Sequence, residues 1–121
     1  MLDGRVQTLL EEVANTSTKL AIVLLFTEQP NLIATPCQLQ QRVCRDIWSV
    51  KQALDELVKA GALRVQNGDY GIVPGMHRQM TTLLRAYEEP MRRQEIMQTV
   101  TDLESYAPYR TMMDGTSVAF R

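Results

Sequence analysis

The chain has 121 residues, with 13 Lys plus Arg against 14 Asp plus Glu, and is 45% hydrophobic and 22% charged, the composition of a globular chain with room for one core. A formal charge of -1 excludes a polybasic strategy in which net field alone holds a polyanion, so such a partner must be met by local placement of charge. The longest apolar run, Leu20 to Phe26, has seven residues, far below the roughly 20 that a membrane-crossing helix needs.

The residues up to Asn15 carry Glu11 and Glu12 and lack the basic, apolar and small-residue order of an export signal, so a cytoplasmic protein with no membrane partner is expected. Leu2, Val6, Leu9, Leu10 and Val13 recur at helical spacing and predict an amphipathic N-terminal helix over 1–14. Asn15 to Thr18 offer stop and cap chemistry, after which Lys19 to Gln29 is apolar nearly all round and predicts a central helix ending before Pro30. Leu32 to Ala34 reads as extended.

Thr35-Pro36-Cys37-Gln38 is a capping box with proline at the first helical position, so a short helix starts there. It runs out at Cys44-Arg45-Asp46, where Asp46 can cap the next helix. That helix has the stripe Ile47, Val50, Ala53, Leu54, Leu57 and Val58, and Gly61 can end it in a left-handed cap. Ala62 to Gln66 and Asp69 to Val73 flank Asn67-Gly68, the pair best suited to a tight hairpin turn. Met76, Met80, Leu83, Leu84 and Tyr87 mark a further helix that stops near Pro90, and Ile96, Met97, Val100 and Leu103 mark a last one. The expected layout is one domain over 1–121: a helix in 1–14, a core in 17–74, helices in 76–105 and an unassigned tail in 106–121. It is mainly α with a small β-hairpin.

The ordered set Thr35-Pro36, Leu39, Val43, then Trp48-Ser49-Val50, Leu54, Leu57, Gly61 and Leu63, then Asn67-Gly68 and Tyr70, resembles the winged helix-turn-helix domain. The resemblance covers about half the chain. With flanking N- and C-terminal helices, the layout is similar to that of MarR-type bacterial transcriptional regulators, in which such helices make the dimer. It implies a DNA-binding regulator, acting as a homodimer through the terminal helices on double-stranded DNA.

Major-groove width admits one helix, whose N-terminal residues touch base edges. Steps of about 100° put Trp48, Ser49, Gln52, Asp55, Glu56 and Lys59 opposite the buried stripe of the third core helix. Gln52 can pair bidentately with adenine, Ser49 can hydrogen-bond a base or phosphate, and Lys51 can reach a phosphate or guanine. Arg42 and Arg45 border the turn, giving three basic residues against one acidic between positions 42 and 51. The Thr35 hydroxyl and the amides beside it can hold a phosphate. Trp48 has three readings: stacking on sugar or base, filling a protein interface, or covering the adjoining helix. Asp55 and Glu56 repel phosphate unless the helix approaches end-on. The hairpin offers Arg64 on its first strand and Asn67 at a tip that has no Arg. That tip, the neutral net charge and an outward Trp48 favour a rival: a winged domain that binds a protein partner and no DNA.

Catalytic and cofactor chemistry has little to draw on. His77 is the one histidine and lacks partners spaced for a triad, the cysteines Cys37 and Cys44 are expected to be reduced structural thiols, and the six glycines form no phosphate-binding loop. No enzyme, metal site or cofactor is expected.

Overall fold

A computed structural model describes the backbone of residues 2–113 and the side chains of residues 2–105. Along that span the order is α1 (Gly4–Glu12), α2 (Ser17–Glu28), α3 (Pro36–Val43), α4 (Ile47–Lys59), β1 (Leu63–Gln66), β2 (Asp69–Ile72), α5 (Pro74–Glu88) and α6 (Pro90–Met113). The fold is mainly helical, with one two-stranded antiparallel sheet. None of the described helices is long and apolar enough to cross a membrane.

α2 sits at the centre because its residues are apolar on almost every side. Leu20, Ile22, Val23, Leu24 and Phe26 are all buried, and the helix packs against α3, α4, α5, α6 and β2. Its N-cap is Thr16, whose side chain accepts the Lys19 N–H at 3.1 Å. The polar group nearest the core is handled by pairing: the Thr27 hydroxyl donates to the Val23 carbonyl at 2.7 Å.

Short-range chemistry fixes the other boundaries. α4 closes in a Schellman motif, with Gly61 N–H on the Val58 carbonyl at 3.0 Å and Ala62 N–H on the Leu57 carbonyl at 2.9 Å. Gly61 has φ +82°, a conformation that is strained for any residue with a Cβ. Asn67 and Gly68 have φ 53° and 83°, as a type I′ turn requires, and they set the register Leu63↔Ile72 through Gln66↔Asp69. The extended segment before α3 joins the sheet at one point, where Ala34 and Tyr70 exchange backbone hydrogen bonds of 3.0 and 2.8 Å.

The terminal helices correct an expectation. Val6, Leu10 and Val13, with Met80, Leu83, Ile96 and Val100, belong to the same buried cluster as α2, because α1 packs on α5 and α6, and α5 and α6 pack on each other. Most of the stripe expected to form a homodimer interface is therefore core within the chain, while Met97 remains 38% exposed. The boundary expected at 105 also moves: α6 continues to Met113, so 106–113 is helix, and the rest of the tail lies outside the described residues.

Candidate nucleic-acid interface

α3 begins with the full capping box. The Thr35 hydroxyl accepts the Gln38 N–H at 3.3 Å, and Gln38 Oε1 accepts the Thr35 N–H at 3.0 Å. Leu39 anchors the helix in the core. The helix ends at Cys44, whose φ of 56° is left-handed, and this reverses the chain toward Asp46 in three residues, Cys44 to Asp46. Asp46 then caps α4, accepting the Ser49 N–H at 2.9 Å and the Ser49 hydroxyl at 2.7 Å. The Ser49 side-chain and backbone hydrogen bonds hold the Asp46 carboxyl below the usual aspartate value.

Val50, Ala53, Leu54 and Leu57 seat α4 on the core. That anchorage leaves Trp48, Lys51, Gln52, Asp55 and Lys59 exposed, with Arg42 and Arg45 exposed at the adjoining turn. Trp48 is 78% exposed, so of its three readings the covering of a neighbouring helix is excluded. Lys51 Nζ lies 6.0 Å from the Trp48 ring centroid, at the outer limit of a cation–π contact. Arg42 donates to Gln29 Oε1 at 3.1 Å, a neutral partner that leaves its charge uncompensated. Among the described residues, Arg42, Arg45 and Lys51 make no ion pair.

Two members of the expected outward face turn inward. Ser49 is half-buried, and its hydroxyl proton is committed to Asp46, so it has no donor left for a phosphate, which offers only acceptors. Glu56 is half-buried as well and pairs with Lys19 on α2, which removes one carboxylate from the face where it was expected to repel phosphate. Burial pushes the Glu56 carboxyl up, but the hydrogen bond and charge of Lys19 outweigh it, and the group sits below the ordinary glutamate value. Gln52 gives one amide proton to Glu56 Oε2 at 3.2 Å and keeps its oxygen and second N–H, the two groups that adenine pairing needs.

The remaining candidates lie elsewhere. Thr35 is at the opposite end of α3 from Arg45, and its hydroxyl oxygen already accepts the Gln38 N–H, one of the helix-start amides expected to hold phosphate. Arg64 and Asn67 line a groove along the hairpin together with Ile33, Val65 and Asp69. Ile33 there is 56% exposed, and Asp69 offsets Arg64, the one cation among the described lining residues, so this groove is less basic than the α3–α4 turn. His77 is half-buried with Nε2 3.2 Å from the Thr27 carbonyl oxygen, a link between α5 and α2. Both cysteines are free, in line with the reduced thiols expected, but they are exposed, so neither fills the structural role expected of them in the packing.

A cluster missed in the sequence lies behind α4. Lys19 is buried, bonds Asn15 Oδ1 at 2.8 Å and pairs with Glu56. Beside it, Glu104 of α6 accepts the Ser17 N–H at 3.2 Å and the Ser17 hydroxyl at 3.4 Å. The sequence signal was a single lysine opening an apolar run. Comparison with family models, with curated proteins and with solved structures finds nothing that matches this chain.

Proposed function

We propose that the chain is a winged helix-turn-helix DNA-binding transcriptional regulator that reads the major groove with the N-terminal half of α4. The observation that carries this is the basic corner at the α3–α4 turn. Arg42, Arg45 and Lys51 are exposed without ion pairs among the described residues, and Gln52 stands next to them with a free acceptor and donor. Local charge of this kind suits phosphate contact even in a chain of net charge -1. The order helix, capped helix, tight turn, helix and hairpin supports the same reading.

The reader in this proposal is narrower than the face drawn from helical spacing. Trp48, Lys51 and Gln52 lead, with Arg42 and Arg45 on the backbone, while Ser49 serves the helix cap. An end-on approach keeps Asp55 away from phosphate. A dimer would place two α4 helices in successive major grooves about 34 Å apart on a quasi-palindromic operator, through surfaces outside the buried stripes.

Fluorescence anisotropy with a mixed pool of duplexes, from low to physiological salt, tests the proposal. Counterion release makes genuine phosphate binding fall steeply with added salt. Binding that ignores salt, or no binding at all, favours the second reading, a winged module for a protein partner. The specific observation behind that reading is Trp48, a large apolar side chain 78% exposed, in a chain whose hairpin tip carries no Arg.

A further inference from the structure

α1 and α5 pack side by side, and their contact leaves an open groove of about 590 Å³ on the outer surface. On α1, Arg5, Thr8 and Leu9 lie at helical spacing on one flank, next to the buried Val6 and Leu10. Arg78, Gln79 and Thr82 face them from α5. The two halves of the groove therefore come from segments far apart in the sequence.

Every polar side chain in this groove is unspent. Neither Arg5 nor Arg78 makes an ion pair or side-chain hydrogen bond among the described residues, and the same holds for Thr8, Gln79 and Thr82. Among the described residues no carboxylate lines the groove. The nearest acid in sequence, Asp3, is engaged as the α1 cap, accepting the Arg5 N–H at 2.9 Å. In a chain with more acids than bases, two guanidinium groups line one concave surface with no counter-charge among the described residues, so an anion from outside meets two free cations there. The volume falls within the range of small-molecule sites, and the Leu9 side chain adds an apolar wall.

We propose that the α1–α5 groove binds a small organic carboxylate. Arg5 and Arg78 take the carboxylate oxygens, Thr8, Gln79 and Thr82 supply further donors, and Leu9 covers a short apolar body. The site is separate from α4 and does not depend on the DNA-binding proposal.

Hexanoate is the probe, titrated into the full chain by calorimetry and followed by amide NMR, with hexanol and inorganic phosphate in parallel. Hexanoate is expected to saturate one site and shift the amides of Thr8, Gln79 and Thr82. Arg5→Gln and Arg78→Gln, both at exposed positions, should each weaken it roughly tenfold or more while the circular dichroism spectrum stays unchanged. Arg85→Gln, on the same helix but outside the groove, should bind as the parent does. Hexanol should show no saturable binding, and phosphate should bind more weakly than hexanoate. The proposal is overturned if hexanoate does not saturate, if hexanol binds as tightly, if both groove variants bind like the parent, or if phosphate equals hexanoate.

Discussion

Lys19 Nζ, on a side chain only 9% exposed in the first turn of α2, meets Glu56 Oε1 on α4 and ties the central helix to the one whose other face carries Trp48 and Lys51. Because the Glu56 carboxyl sits below its ordinary value of 4.5, the unfolded chain binds that proton more readily than the folded one. The stability from the pair is therefore complete above the unfolded value and is lost as pH falls through the folded one. Urea unfolding at a series of pH values should show Glu56→Gln with a flatter acid limb than the parent. At neutral pH, Lys19→Met should cost about 1 to 2 kcal/mol, less than for a sealed pair because solvent reaches Glu56. Parallel acid limbs in parent and Glu56→Gln would remove this account of the pair.

The stripes of the terminal helices are core, and this makes a distinct claim about assembly. Leu10→Ala removes a side chain with no exposure and should cost about 2 to 5 kcal/mol. Any concentration dependence of the melting temperature should be the same in parent and variant, because copies of the chain meet through surfaces outside the buried stripes. A melting temperature that climbs with concentration in the parent but not in the variant would return Leu10 to an interface between copies.

On duplex DNA, Lys51→Ala should weaken all sequences alike and reduce the salt dependence by about one phosphate contact. Gln52→Ala should cost about 1 to 3 kcal/mol on the preferred site and relax the preference at one base pair. Ser49→Ala should disturb the α4 cap more than DNA affinity, since its hydroxyl already serves Asp46. Selection from a random duplex library followed by anisotropy separates these outcomes; if Lys51→Ala and Gln52→Ala both bind as the parent does, α4 is not the reader.

Cap geometry gives a fourth expectation. Thr35→Ala breaks the reciprocal box at the start of α3 and should cost about 1 kcal/mol in chemical denaturation. Gly61→Ala forces a Cβ into φ +82° and should cost a similar amount, even though nothing stands within 4 Å of the added atom. A neutral Gly61→Ala would mean that the α4 C-cap rearranges at no expense.

The elements written in local chemistry were legible in the sequence. Thr35 with Gln38, Asn67 with Gly68, and Gly61 after Lys59 each announce a boundary through bonds that close within a few residues. What one helix does to another was not legible. Angular spacing put Ser49 and Glu56 opposite the stripe of α4, but it carries no record that Asp46 takes the Ser49 proton or that Lys19 of α2 reaches Glu56. Likewise, the spacing of Val6 and Leu10 shows that a face is covered without naming the cover, and α5 and α6 turned out to supply it. α6 runs on past Leu103 to Met113 through Pro108, and because proline in a helix interior reads as a stop, the sequence did not announce that extension.

α2 touches both the hairpin strand β2 and the late helices α5 and α6. Anyone wishing to excise the stretch from α2 to the hairpin as a minimal fragment would strip the lining from one flank of α2, leaving Phe26 and its neighbours greasy and wet. Such a fragment should clump or stay unfolded, so deletion mapping is the wrong tool for this chain, and surface point changes are the right one.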